Sequence, residues 1–202
     1  MSNNIDKIIY INLEKRKDRR EQIENELNNF NLEYERFDAI QTEGFGILGC
    51  GLSHLSVLKI AKERNYKNIL ILEDDFTFLV SKEEFENNLN NFFNLSLDYD
   101  VLFLSYNILN YEELNNNLIN RVTKSSSASG YLVNSMYFDT LINILEYAMP
   151  LLEKTHKHWI YANDAIWYEL QIKDKWFYFI NRIGKQRKSY SDNAQQIMNY
   201  DC

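Results

Sequence analysis

Asn68-Ile69-Leu70-Ile71-Leu72-Glu73-Asp74-Asp75 decides the fold: an unbroken aliphatic run of strand length, closed directly by three carboxylates. Such a run marks a strand covered on both faces, as in the centre of a parallel sheet. Open α/β sheets bind ligands beyond the carboxyl ends of their strands, which is where Glu73, Asp74 and Asp75 fall. With the chain extended past Leu72, Glu73 and Asp75 point to one side and Asp74 to the other. Two carboxylates crowded on one side raise each other's pKa or share a cation, and hard divalent ions such as Mn²⁺ or Mg²⁺ suit oxygen ligands. The same residues could simply end a strand in solvent, so the triplet alone leaves the structural and functional readings open.

Upstream, Lys7 to Leu13 reads as a buried strand, and Ile23, Leu27 and Phe30 follow at the i, i+4, i+7 spacing of an amphipathic helix. Tyr34 to Phe37 is a second strand. After a loop holding Gly44, Gly46 and Gly49, Leu52, Leu55 and Leu58 share one face of a helix running to about Arg64. Downstream, Ser81 caps a helix from Lys82 to Phe93, Val101 to Leu104 is another buried strand, and Lys124 to Ser129 reads as a mobile loop. Gly130 to Val133 is then a strand, Asn134-Ser135 caps a helix ending near Pro150, Ala162 to Ile172 is a further helix, and Trp176 to Ile180 closes with a strand. Alternating strands and helices predict an α/β domain with a doubly wound, mostly parallel central sheet flanked by helices.

The 202 residues, 45% hydrophobic, suit one domain with one substantial core. The 22 basic and 29 acidic residues leave a net charge of -7, which argues against nucleic acid or anionic lipid as partner. Met1-Ser2-Asn3-Asn4 opens no export signal and no apolar stretch reaches membrane-span length, so a cytoplasmic protein without an integral membrane segment is expected. Cys50 and Cys202 imply no disulfide framework, and three His do not make a protease-type zinc site.

Several segments, in order and spacing, resemble the family 25 glycosyltransferases, which include lipopolysaccharide-type and collagen galactosyltransferases. They are Ile9-Tyr10-Ile11-Asn12-Leu13 with Arg16 and Arg19, Phe37-Asp38-Ala39, Gly49-Cys50-Gly51-Leu52-Ser53-His54, Ile71-Leu72-Glu73-Asp74-Asp75 and Gly130-Tyr131-Leu132-Val133. Gln186 and Ser191-Asp192 resemble the family's closing positions, while Lys185 to Lys188 departs from its small loop residues. The resemblance implies a GT-A-type fold, with a nucleotide-sugar-binding half over about 1–105 and an acceptor half over about 106–202. It implies a UDP-sugar donor held by Asn12, Leu13, Arg16, Arg19, Ala39, Ser53 and Asp74, and Mn²⁺ or Mg²⁺ on Glu73 and Asp75. Asp164 would be the base that deprotonates the acceptor hydroxyl, with Trp159-Ile160-Tyr161 walling the sugar pocket.

Each residue also has a plainer reading. Arg16 and Arg19 sit among Lys15, Lys17 and Arg20, as on a solvated basic face; Asp164 could serve a helix dipole; Cys50 reads as a small buried side chain, and His54 as a hydrogen-bonded core residue rather than a metal ligand. His156 and His158 carry no assigned role. The expected function is a metal-dependent inverting transfer of a hexose (galactose, glucose or N-acetylglucosamine) from a UDP-sugar to a hydroxyl of a glycan or protein. A catalytically silent sugar-nucleotide-binding module is the alternative. A phosphoryl-accepting receiver domain fits less well, because its acidic pair follows the first strand, which here ends in Asn12-Leu13.

Overall fold

Consecutive side chains of the first strand, β1 (Lys7–Asn12), go to opposite faces, and Ile8, Ile9, Tyr10 and Ile11 are all buried. A strand with no solvent face must lie inside a sheet covered on both sides. The computed structural model, which describes residues 4–191, 196–199 and 202, shows how the rest of the chain supplies that cover.

From β1 the chain runs through α1 (Lys17–Asn29), β2 (Tyr34–Asp38), α2 (Gly46–Glu63), β3 (Asn68–Glu73), β4 (Phe76–Phe78) and α3 (Lys82–Asn94). Two long strands follow, β5 (Val101–Glu112) and β6 (Ile119–Asn134), then α4 (Phe138–Thr155) and three short helices, α5 (His158–Tyr161), α6 (Asn163–Ile166) and α7 (Tyr168–Lys173). β7 (Trp176–Phe179), β8 (Gly184–Gln186), β9 (Ser189–Ser191) and β10 (Gln196–Met198) complete the described elements. The main sheet has the order β2-β1-β3-β6-β5-β7. β1 is parallel to β2 and β3, and β5 is parallel to β7, while β6 runs antiparallel to β3 and β5. Five strands therefore share one direction and β6 opposes them, so the sheet is mostly parallel as expected.

Period-two alternation divides the core. Ile9, Ile71, Val57, Leu58, Leu141 and Leu145 pack on the side of α2 and α4; Ile8, Leu70, Ile23, Leu27, Phe85 and Leu89 pack on the side of α1 and α3. α3 starts where the Ser81 hydroxyl accepts from the Glu84 N–H and the Glu84 carboxylate accepts from the Ser81 N–H, a reciprocal cap. Among the described residues, no helix is long and apolar enough to cross a membrane.

Four expectations are corrected. The helix expected to end near Pro150 continues to Thr155, because Leu145, Ala148, Met149 and Leu152 bury one stripe on both sides of the proline, and it stops where His156 turns left-handed (φ 57°). Tertiary burial outweighs the roughly 3 kcal/mol cost of an interior proline. The single helix expected over Ala162 to Ile172 is jointed at Trp167, whose fully buried ring packs against Tyr131 and Trp176. Lys124 to Ser129 is no loop but part of β6: Lys124 pairs with Asn110 and Ser125 with Ile108, and the Gln171 amide bridges both backbone groups of Ser125. Gly46 and Gly49 belong to α2 rather than to the loop before it; a Cβ on Gly49 would collide with the Ile40 carbonyl.

Candidate active site

β3 stops at Glu73, and Asp74-Asp75 form a turn into β4. The strand alternation expected to put Glu73 and Asp75 on one side therefore ends before Asp75, and each carboxylate acquires its own partners. In register, Ile11 of β1 lies opposite Glu73 and Asn12 opposite Asp38, so the ends of three parallel strands converge here.

Asn12, 1% exposed, is the hub of this corner. Its amide donates to Asp74 Oδ2 at 2.7 Å and to the Arg16 carbonyl at 3.1 Å, while its Oδ1 accepts from Arg36 Nε at 3.1 Å. Arg19, on the first turn of α1, donates from Nη1 to Asp74 Oδ1 at 2.8 Å and approaches Asp75 Oδ2 at 3.2 Å. Its Nη2 donates to Ser189 Oγ at 2.6 Å and to the Tyr190 carbonyl at 2.9 Å. Arg16 pairs with Asp18 and donates to the same Tyr190 carbonyl at 3.1 Å. Neither arginine lies on a solvated face: the Arg19 side chain is 13% exposed, against 45% for Arg20.

Glu73 turns the other way. Its Oε1 is 3.1 Å from His54 Nε2 and accepts from Cys50 Sγ at 3.5 Å; its Oε2 accepts from Gln186 Nε2 at 3.4 Å. The second ring nitrogen of His54 lies 2.8 Å from the Tyr131 hydroxyl. Asp75 Oδ1 is buried with no hydrogen-bond partner, and so is Arg19 Nε. An unpaired buried polar atom is costly in a folded protein and signals a missing ligand, water or ion.

Electrostatics separate the two acids. Burial and the nearby Glu73 and Asp74 charges push the Asp75 carboxyl up to about 7, against the pull of Arg19. Burial alone would raise Glu73, but the hydrogen bond and charge of His54, with help from Cys50 and Arg19, bring it below its ordinary value. Between the two, Glu73 ionises first and Asp75 keeps the proton. Asp74 is raised by burial, partly offset by Arg19 and Asn12, and burial pushes the Cys50 thiol up.

The remaining expected residues take varied places. Leu13 and Ala39 enter through the backbone: the Leu13 carbonyl accepts from the Arg16 N–H and the Ala39 N–H donates to the Asn12 carbonyl. The Ser53 hydroxyl accepts from the Ile40 N–H at 2.9 Å and donates to the Gly49 carbonyl at 2.7 Å, which fixes the β2–α2 connection and leaves no direct link to the acids. Asp164, in α6, accepts at Oδ2 from the Ser127 N–H at 3.1 Å. Ser127 adopts φ 79°, an uncommon conformation for a residue with a Cβ, and the β6 register against β5 shifts between Ser126 and Gly130, around the point that holds Asp164. Next to Asp164, Asn163 is buried with its amide nitrogen unpartnered. Trp159 projects into solvent at 63% exposure, His156 lies tilted against the Phe45 ring, and His158 packs edge-on against Trp159. Asp192 lies outside the described residues.

Sequence reasoning missed Tyr131, Asn163, Ser127 and Cys202 as neighbours of this corner. Cys202 is buried and its thiol donates to Gln186 Oε1 at 3.2 Å. No local pattern announces such contacts, since each joins segments far apart in the chain.

The comparisons with known proteins agree on the class of protein. A family model described as glycosyltransferase family 25 (LPS biosynthesis protein) matches residues 5–45 and 44–167. A protein of Acanthamoeba polyphaga mimivirus named as a glycosyltransferase is 36% identical over 106 residues, covering 42% of this chain and 32% of that protein. Procollagen galactosyltransferase 1-A of Xenopus laevis is 26% identical over 136 residues, covering 54% of this chain and 22% of that protein. The chain thus spans about a third or less of the length of these relatives. Among solved structures, UDP-glucose pyrophosphorylase complexed with UDP-glucose superposes with a TM-score of 0.50 at 8% identity, over 90% of this chain and 74% of that one, a likeness of fold. With most of its length matched by the family model, the chain belongs to glycosyltransferase family 25.

Proposed function

We propose that this chain is a metal-dependent, inverting glycosyltransferase unit that moves a hexose from a UDP-sugar to a hydroxyl of a glycan or protein. The observation that carries the reading is the buried, unpartnered Oδ1 of Asp75 beside Glu73, at the carboxyl end of the central strand. That oxygen fits a hard divalent ion, Mn²⁺ or Mg²⁺, which Asp75 and the Oε2 side of Glu73 would hold. When bound, the ion supplies positive charge that stabilises a departing diphosphate.

The protein's own groups supply the rest. Arg19, held by Asp74 and Ser189 with its Nε free, presents a fixed guanidinium to a phosphate, and Arg16 adds charge from the same turn. Asn12 orients Asp74 and, through its carbonyl, Ala39; Leu13 and Ser53 shape the two loops between which a nucleotide would lie. Asp164, oriented by the Ser127 N–H, takes the proton from the acceptor hydroxyl as that oxygen attacks the anomeric carbon from the face opposite the diphosphate, which inverts the configuration there. The names of the Xenopus relatives make galactose the first sugar to test, ahead of glucose and N-acetylglucosamine.

Thermal unfolding in the presence of UDP-galactose, UDP-glucose or UDP-N-acetylglucosamine, with and without Mn²⁺, tests the reading. A donor at about a hundred times its Kd stabilises by about 2.7 kcal/mol. The expected result is a shift that needs both ligands and disappears in Asp75→Ala. If no UDP-sugar shifts the transition in Mn²⁺, the donor assignment fails.

A further inference from the structure

On its far side, the Glu73 carboxylate meets a different kind of ligand set. Cys50 and His54 lie four residues apart on α2, so one helix face presents a thiol and an imidazole together. One ligand atom each from Cys50, His54 and Glu73 lie within 4.8 Å of one another. Cys50 Sγ is 3.5 Å and His54 Nε2 is 3.1 Å from the same oxygen, Glu73 Oε1. Around tetrahedral Zn²⁺ the sulfur–oxygen and nitrogen–oxygen edges are about 3.6 Å and about 3.4 Å, given the usual bond lengths. Both edges thus lie within a few tenths of an ångström of those of a bound ion, and the third, between sulfur and nitrogen, is within 4.8 Å.

The surroundings of His54 match this use. The Tyr131 hydroxyl, 2.8 Å from Nδ1, holds the ring with Nε2 aimed at Glu73; without a metal Nε2–H donates to that carboxylate, and on metal binding the imidazole proton moves to Nδ1, where the hydroxyl accepts it and frees the Nε2 lone pair for the ion. A metal-binding imidazole is commonly fixed in just this way, by a hydrogen bond to its other nitrogen. His54 and Tyr131 are both fully buried, whereas Cys50 and Glu73 are partly exposed, so the set is rigid at its back and open at its front.

We infer that Cys50, His54 and Glu73 form a binding site for a thiophilic divalent transition ion, Zn²⁺ above all, separate from the hard-ion corner at Asp75. Thiolate and imidazole select zinc over magnesium or calcium, and three protein ligands leave a fourth position for water. Binding replaces the Cys50 proton, which is released to solvent, with a sulfur–metal bond. The site itself does not depend on the proposed transferase activity. Its consequence does: an ion on Glu73 Oε1 would constrain a carboxylate that the donor corner also uses, so zinc would act as an inhibitor.

The test is titration of the whole chain with Co²⁺, followed by displacement with Zn²⁺. The chain has two cysteines, so in Cys202→Ser the thiol of Cys50 stands alone. Expected are a thiolate-to-cobalt charge-transfer band retained in Cys202→Ser and lost in Cys50→Ser, and loss of that band on adding Zn²⁺. Tyr131→Phe should weaken Zn²⁺ binding about ten- to a hundredfold. Asp75→Asn, which alters the hard-ion corner and none of the three ligands, should keep the band, so the two metal assignments succeed or fail separately. No band in the wild-type chain, or a band that vanishes in Cys202→Ser, would overturn the inference.

Discussion

Replacing Asp75 with Asn should make the metal-free protein more stable at alkaline pH and unchanged at acid pH. Burial and two neighbouring carboxylates raise the Asp75 carboxyl from 3.8 to about 7 in the folded chain. Between those values the folded state holds a proton that the unfolded state has released. Stability from this group is therefore complete below the unfolded pKa and is lost as pH rises through about 7. A shift of about 3 units at 1.36 kcal/mol each amounts to about 4 kcal/mol. Glu73, lowered rather than raised, contributes with the opposite sign at lower pH, where it loses stability as it becomes protonated. Asn mimics the protonated acid and cannot ionise, but its amide buries one further donor, which trims the gain. We expect Asp75→Asn to exceed wild type by about 2 to 4 kcal/mol at about pH 8, or roughly 4 to 16 °C in Tm, with the advantage shrinking as pH falls and gone at about pH 3 to 4. The assay is thermal unfolding followed by circular dichroism across that range, with a chelator present. Parallel pH profiles for the two proteins, or a variant less stable than wild type at pH 8, would refute the reasoning.

Other outcomes follow from the same geometry. Asp164→Asn should keep UDP-sugar binding by calorimetry and lose transfer by at least about a hundredfold, as expected for a missing general base; full activity would remove Asp164 from that role. Arg19→Lys gives up the planar fork that spans Asp74 and Ser189, so donor affinity should fall about tenfold in the same calorimetric assay, equivalent to about 1.4 kcal/mol. In Gly130→Ala the new Cβ would stand 2.6 Å from the Phe76 ring, and denaturant unfolding should show a loss of about 1 to 3 kcal/mol. Ser81→Ala removes one half of the reciprocal cap on α3 and should cost about 1 kcal/mol by the same measurement.

The strands were legible wherever burial is two-sided, because Ile69 to Leu72 and Val101 to Leu104 are short, unbroken apolar runs of strand length. The placing of Asp74 and Asp75 at a ligand-binding end of the sheet also followed from strand order, since ligands collect at the carboxyl ends of parallel strands, whereas Asn12 and Arg19 were joined to them only by the family resemblance. Fine geometry was not legible. Whether Asp74 and Asp75 continue β3 or turn depends on β4 pairing with β8, and β8 begins at Gly184, far along the chain. Arg19 looked like one of several surface cations because Ser189, its partner, is 170 residues away. The serine-rich Lys124 to Ser129 stretch has loop composition; Gln171 and β5 supply the hydrogen bonds that make it a strand. Pro150 misled in the same way, for the apolar stripe that carries α4 past it is visible only once the sheet it covers is known.

β6 has a further consequence. It is bonded to β3 along one edge and β5 along the other, and its first residues also pair with β7. Severing the chain between Glu112 and Ile119 would leave one fragment with an open slot between β3 and β5, and another carrying the strand that fills it. Neither piece could satisfy its backbone alone, so the two should reassemble on co-expression by insertion of β6, which makes this connection the natural place to build a split reporter from the domain.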